Sequence, residues 1–208
     1  EFIRKYIKES IINSVIFKDI PMLYPVKDPA VLESILNIFI DNPGQIIDIN
    51  KLSTDLNLFR HTVSAYLRYL EDSFLLIKLY NFSKNKRTSE RKLKKFYPSI
   101  CSIYLSYSDT TDYASKVFEN MIVIQTDAKF FWRDAYKNEV DIVLAVDDIL
   151  PIEVKYGSDL MTTGLKIFMH KFKAKKGLII SKNEEKHLQN EKIDIIPAYR
   201  YFYDIEAK

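Results

Sequence analysis

Residues 139–155 read Glu139-Val-Asp141-Ile-Val-Leu-Ala-Val-Asp147-Asp148-Ile-Leu-Pro-Ile-Glu153-Val-Lys155, two apolar runs separated by a pair of aspartates. A strand sends alternate side chains to opposite faces, so Glu153 and Lys155 share one face while Ile152, Val154 and Tyr156 take the other. Asp147-Asp148 is a turn signal that folds the strand carrying Asp141 back beside the strand carrying Glu153. Near-continuous apolar runs, Val140 to Val146 and Ile149 to Val154, suit a sheet covered on both faces. An α/β sheet is therefore predicted, with three charged groups inside it.

Charges in such places are desolvated, at a cost on the order of several kcal/mol each, unless they are paired or bind a metal. Two facing carboxylates, Asp141 and Glu153, repel, and a divalent cation turns that repulsion into ligation. Mg²⁺ or Mn²⁺ takes oxygen ligands and is typically held by one or two carboxylates plus substrate phosphate. The backbone carbonyl after Glu153 is a further donor, and Glu139, two residues before Asp141, an alternate ligand. Lys155 supplies an ammonium that orients or deprotonates an attacking water and offsets charge on a phosphate oxygen. The competing expectation is a cross-strand salt bridge on a solvated sheet face.

Around this segment the pattern predicts a helix from Asp112 to Gln125, with Ala114, Val117, Phe118, Met121, Ile122 and Gln125 at the helical period and Glu119 mid-helix. Glu119 is either a solvent-facing helix residue or a further catalytic carboxylate. Extended segments are expected at Phe130–Asp134, Gly177–Ser181 and Ile193–Pro197, and a helix at about Thr163–Lys173. Strand, helix, strand implies a right-handed parallel crossover. Lys171, Lys173, Lys175 and Lys176 either line a nucleic-acid groove or simply favour a helix C-terminus.

The N-terminal half reads as helical. Phe2 to Phe17 is apolar at helical spacing, with Ile20-Pro21 as its stop. Asp28-Pro29 is an N-cap with proline at the first helical position, and Leu32, Ile35, Leu36, Phe39 and Ile40 form a stripe that ends at Asn42-Pro-Gly. A short helix follows Asn50, with Leu52 and Leu56 inward. A third runs from near Phe59 to Asp72, with Val63, Tyr66, Leu67 and Leu70 as its core face. With the extended Leu75–Tyr80 and a charged loop, these elements match a winged helix-turn-helix. On the outer face of the third helix, Arg60, Ser64 and Arg68 recur every four residues with His61 alongside, which suits phosphates and base edges. His61 has no His or Cys neighbour in sequence that would make it a metal ligand. Lys84 to Lys95 holds seven Lys or Arg against one acid, Glu90. Lys84, Lys86, Arg87, Arg91 and Lys92 are the candidate DNA contacts there, since such a patch gains affinity by releasing counterions. A solvated helix face and a solubilising loop are the plainer alternatives.

Residues from about Val117 to Tyr156 resemble the PD-(D/E)xK nuclease superfamily: a helix with Glu119, a strand at Phe130, a strand with Asp141, and a strand with Glu153-x-Lys155. The order is also similar to archaeal Holliday-junction resolvases. The whole chain resembles the C-terminal region of archaeal and bacterial AAA-type ATPases, a domain of unknown function. That resemblance rests on Phe17-Lys-Asp-Ile-Pro, Leu70-Glu-Asp-Ser-Phe-Leu-Leu, Lys95-Phe-Tyr, Phe118-Glu-Asn, Phe131-Trp-Arg, Glu139-Val-Asp and Ile152-Glu-Val-Lys-Tyr. Asn138 stands where many members have Gly, and the usual Lys-x-Ser appears as Lys155-Tyr-Gly-Ser158. The resemblance implies a winged helix followed by a restriction-endonuclease-like mixed sheet flanked by helices. Its metal would sit on Asp141 and Glu153, with Lys155 positioning water and Glu119 acting through water or a second metal. Metal-dependent hydrolysis of duplex or branched DNA is then expected. The rivals are a nuclease-fold module that only grips DNA or a partner protein, and a winged-helix transcription regulator whose α/β domain pairs with a second copy.

Composition bounds these readings. The chain has 208 residues, 47% apolar and 13% aromatic, enough for real cores, and a net charge of only +3, so any nucleic-acid contact is local. Expected segments are 1–27 as a helical linker from an upstream module, 28–97 as the winged helix and 98–208 as the nuclease-like domain, with Pro98 to Asp109 as the connection. No run of about 18 uncharged apolar residues and no secretory leader is seen, which argues against a membrane span or export. Cys101 is the one cysteine and makes no internal disulfide, pointing to the cytoplasm. The chain opens on Glu1, as a fragment would. Four glycines and no phosphate loop predict that it binds no nucleotide, any ATPase module lying upstream.

Overall fold

A computed structural model describes residues 2–91, 93–101, 111–145, 148–158 and 160–206. Its strands fall in two mixed sheets among helices, so the α/β class holds. Two compact units divide the chain: Glu1–Lys78 with Leu93–Asn120, and Leu79–Lys92 with Met121–Lys208. This division follows cuts other than 27/28 and 97/98, because Leu79–Lys92 packs with the second unit and Leu93–Asn120 with the first.

In the first unit, helix α1 (Phe2–Tyr6) passes through π-helical turns at Ile7–Ile12 and Val15–Asp19 into α2 (Ile20–Leu23). Its buried isoleucines are Ile7, Ile12, Ile16 and Ile20. The five-residue step from Ile7 to Ile12 is the spacing that a π-type turn brings onto one face. Pro21 does not end the helix as expected. It lies inside α2, where the helix continues from the π turn, and the chain becomes extended only at Tyr24.

Helix α3 (Pro29–Asp41) starts as expected, with the Asp28 carboxylate accepting the Ala30 amide at 3.0 Å, and it buries the five stripe residues. Its end leads into a strand that the sequence reading missed, β1 (Gln45–Ile47), antiparallel to β3 (Lys94–Pro98). Gly44 turns the chain at φ +76° and donates to the Phe96 carbonyl at 2.9 Å. A Cβ there would lie 2.8 Å from the Tyr97 ring, so the close approach requires glycine. Helix α4 (Ile49–Asp55) is capped by Asp48, and α5 (Arg60–Asp72) buries Val63, Tyr66, Leu67 and Leu70, the four residues of its predicted core face. One apolar core gathers these faces around Phe39 and Phe96, whose rings lie 5.2 Å apart.

Strand β2 (Leu76–Asn81) carries the chain toward the second unit. The basic stretch is not a plain loop, since it contains helix α6 (Lys86–Arg91) before β3. Residues 102–110, most of the predicted connection, lie outside the described residues. Helix α7 (Thr111–Gln125) follows. Ile122 and Val123 are its buried apolar residues, while Gln125 is exposed rather than inward.

In the second unit, β4 (Phe130–Arg133) lies parallel to the end of β2 and antiparallel to β5 (Glu139–Val140). The Asn81 side chain binds the Arg133 backbone both ways, its amide donating to the carbonyl at 2.8 Å and its oxygen accepting the amide at 3.2 Å. Between β4 and β5, the Asp134 carboxylate accepts the amides of Tyr136 and Asn138 and the Asn138 side chain, each at 2.9 Å. Burial pushes the Asp134 carboxyl up, but the Asn138 and Tyr136 hydrogen bonds and the Lys171 charge outweigh it and hold it below the ordinary carboxylate range.

Strands β6 (Ile142–Ala145), β7 (Ile149–Lys155), β8 (Gly177–Ser181), β9 (Lys186–Leu188) and β10 (Ile193–Pro197) form one sheet in the order β6-β7-β8-β10-β9. Helix α8 (Thr163–Phe172) joins β7 to β8, which run parallel as expected. Against the sheet, Phe168 packs on Trp132 at 5.3 Å and on Phe172 at 4.5 Å, with Val140, Val143, Ile179 and Ile195 beneath. Two elements escaped the sequence reading. Strand β9 is a three-residue edge rich in charge, and α9 (Ala198–Glu206) follows β10 directly at Pro197.

Gly164 fixes how closely α8 approaches β5, since a Cβ there would lie 2.2 Å from the Glu139 carbonyl oxygen. Neither backbone can yield without lifting the helix. Gly164→Ala is therefore expected to destabilise the chain by about 1–3 kcal/mol, read as a lowered urea midpoint. An unchanged midpoint would show that the approach is not tight. For Asp134, a depressed carboxyl stabilises the folded state above its unfolded pKa, about 4, and this is lost as pH falls through the folded value. The stability gap between wild type and Asp134→Ala should accordingly narrow on acidification from neutral pH to pH about 3, and a gap independent of pH would contradict the assignment.

Candidate functional site

Antiparallel pairing of β6 and β7 runs from Ala145↔Ile149 to Ile142↔Ile152, so the next residue on each strand, Asp141 and Glu153, come opposite one another. The sequence reading placed Asp141 inside a continuous strand. It instead occupies a bend between β5 and β6, where its carboxylate Oδ2 accepts the Val154 amide at 2.9 Å. A side-chain acceptor thus replaces a backbone carbonyl at the end of the ladder, which is why the strand breaks there.

Glu153 and Lys155 project from the other side of the β7 alternation to Ile152 and Val154, which are buried. The Lys155 Nζ donates to Glu153 Oε1 at 3.0 Å, and their side chains are 25% and 14% exposed. Asp141, bound to the Val154 amide, and the Glu153–Lys155 pair therefore lie at one end of β7. An ion pair is present, but it lies within one strand and is largely buried, unlike the solvated cross-strand pair. At such burial the attraction is only weakly screened, and loss of one partner leaves a costly charge.

Glu139 is directed elsewhere. Its Oε2 lies 3.4 Å from Arg133 Nη1, the residue opposite it on β4. The bend at Asp141 removes the strict alternation that made Glu139 share its face. Glu119 belongs to the first unit, where its Oε1 accepts from Lys95 at 2.8 Å and from the Tyr97 hydroxyl at 2.6 Å. It is not a solvent-facing helix residue. Lys95, counted in the basic stretch, has a side chain only 5% exposed and takes no part in a surface patch. The Lys95–Glu119 pair was missed because Lys95 reads as part of the basic stretch and Glu119 as either a solvent-facing helix residue or a catalytic carboxylate; Lys95-Phe-Tyr, in an apolar β context, was the one available signal.

Of the proposed nucleic-acid contacts, Arg60, His61, Ser64 and Arg68 are all exposed on α5, with Arg68 Nε 3.4 Å from Asp72. The His61 ring stacks on Phe59, centroids 5.6 Å apart and planes 16° apart, an aromatic contact absent from the sequence reading. Lys84 and Arg87 are exposed, Lys86 and Arg91 are placed by backbone in α6, and Lys92 lies outside the described residues. Lys171 lies over the Trp132 ring at 5.3 Å, and Lys175 pairs with Asp148 at 2.9 Å, so these two lysines have local structural partners. Lys173 is the left-handed residue that ends α8.

Among the described residues, no group of three or more His, Cys, Asp or Glu side chains gathers in a metal-holding arrangement. Asp141 and Glu153 remain as a two-carboxylate donor set, the kind that suits Mg²⁺ with water and phosphate completing its shell. No described helix is long and apolar enough to cross a membrane.

An uncharacterized protein of Haemophilus influenzae is 26% identical over 167 residues, covering 75% of this chain and 42% of that protein, so the chain spans less than half the length of this relative. No solved structure matches the chain. Residues 114–201, which include Glu119, Asp141, Glu153 and Lys155, match a domain of unknown function, DUF4143. Residues 3–111, more than half of the chain, match another domain of unknown function, DUF8612, and to that family the chain belongs.

Proposed function

We propose that the second unit carries a metal-dependent phosphodiesterase centre of the PD-(D/E)xK kind, and that α5, in a winged-helix-like first unit, and the basic α6 segment contact DNA. The observation that carries this reading is the placement at one end of β7 of Asp141, held by the Val154 amide, and of the Glu153–Lys155 pair. Asp141 and Glu153 would hold Mg²⁺ or Mn²⁺, which when bound supplies Lewis acidity toward a phosphate oxygen. Lys155 hydrogen-bonds the water that attacks phosphorus and stabilises charge developing on the non-bridging oxygens. Given its pairing with Lys95 and Tyr97, Glu119 serves to hold α7 to β3 rather than to handle the water.

The Glu153–Lys155 ion pair also favours a second reading, a nuclease-fold module that binds DNA or a partner protein without cleaving. An ammonium already compensates the Glu153 carboxylate, so that charge needs no cation to offset it. In either reading the chain would act with an AAA-type ATPase module, as the resemblance implies.

Asp141→Asn keeps an acceptor for the Val154 amide while removing the charge, which separates chemistry from folding. Asp141→Asn, Glu153→Gln and Lys155→Met are each expected to cut Mn²⁺-dependent cleavage of duplex or branched DNA by at least about a hundredfold; the urea midpoint should stay nearly unchanged in Asp141→Asn and fall in the other two, which strip one partner from a largely buried ion pair. Wild-type cleavage retained in all three would remove the site. Calorimetric titration with Mn²⁺ addresses the second reading: heat of binding that Glu153→Gln abolishes supports the metal centre, and a silent wild type favours the non-cleaving module. Neutralising Lys84 and Arg87 together should weaken duplex binding and flatten its salt dependence by about two phosphate contacts; an unchanged slope would detach α6 from DNA.

A further inference from the structure

At the start of α5 an aromatic ring stands in solvent. Phe59 is 76% exposed, yet its ring lies stacked on His61 at 5.6 Å and 16°. Phe59 contributes no side-chain cap to the helix, so its ring has no visible structural duty. Beside it opens a nook of about 260 Å³ lined by Ser53, Thr54, Asn57, Leu58 and Phe59. The space is below the roughly 300–1,000 Å³ of sites for drug-sized ligands and suits one planar ring system. Asn57, exposed in a left-handed turn at φ +52°, brings a side-chain amide that both donates and accepts. The Ser53 and Thr54 hydroxyls donate to the Asn50 carbonyl and retain lone pairs as acceptors. Arg60 adds an exposed guanidinium next in the chain.

We infer that Phe59, with His61 behind it and Asn57 beside it, is a stacking platform for an unpaired nucleobase, so that this protein recognises single-stranded or branched rather than uninterrupted duplex nucleic acid. The inference rests on the DNA-contact reading of α5 and names its substrate class. In a duplex both faces of every internal base are covered. Extracting one costs a few kcal/mol, which a single aromatic stack worth about 1–3 kcal/mol does not offset. An already unpaired base carries no such cost. Its π-face meets the Phe59 ring, its edge meets the Asn57 amide, and its phosphate meets Arg60.

Fluorescence anisotropy on the 208-residue chain tests this with three labelled probes of equal length: a single strand, an abasic strand and a blunt duplex. Wild type should prefer the single strand to the abasic strand. Phe59→Ala should weaken single-strand binding about tenfold and leave duplex and abasic binding unchanged, while Phe59→Tyr keeps the wild-type affinity. The exposed ring makes Phe59→Ala a fold-neutral change, checked by an unaltered urea midpoint. Duplex binding with equal single-strand affinity in wild type and Phe59→Ala overturns the platform alone. Equal losses on all three probes also overturn it, since the ring would then act without a base. Absence of binding to any probe overturns the DNA reading itself and, with it, the inference.

Discussion

One hydrogen bond organises the charged end of the second unit: the Asp141 carboxylate accepting the Val154 amide across the end of β6. Strand β7 lies between β6 and β8, and its buried amides must all find acceptors. Where β6 ends at Ile142, the Asp141 carboxylate takes the Val154 amide. The same bond sets Asp141 across from Glu153 and stops β5 and β6 from becoming one strand. A side chain required for backbone satisfaction thus stands at the same end of β7 as an ion pair.

Packing around this point explains why the geometry is rigid. On one side α8 is pressed on β5 at Gly164, and its Phe168 and Phe172 lock against Trp132. On the other, Asp134 and Asn81 bind the backbone at the two ends of the β4–β5 connection. Each contact restrains the segment leading into Asp141. A site assembled on strand ends with satisfied backbones holds its side chains more closely than one on a free loop.

Much of this was legible in the sequence because the signals were local. The stripe Leu32, Ile35, Leu36, Phe39, Ile40 and the Asp28 cap define α3 without reference to any partner, and the same holds for the core face of α5. The Asp141, Glu153, Lys155 spacing placed these residues at one end of β7 because they lie on strands that pair in antiparallel register. What was not legible depended on distant partners. Strand β1 exists through its pairing with β3, some fifty residues later. Lys95 and Glu119, polar residues with no local reason to be buried, are buried by each other. Glu139 was misdirected since the alternation rule was carried across a bend that only the Asp141–Val154 bond reveals.

The ion pair at β7 decides how the two functional readings differ physically. An ammonium 3.0 Å from Glu153 and a divalent cation compete for one carboxylate. Were Glu153 to hold a cation, Lys155 would be free to turn toward a water or a phosphate, exchanging one charge-assisted contact for another. A substrate phosphate would favour that exchange, because it would offer the ammonium a new anion. Metal and DNA therefore bind with positive coupling if the centre is catalytic, each tightening the other by the same factor. In a module that only grips DNA, Lys155 never leaves Glu153, and such coupling has no physical origin.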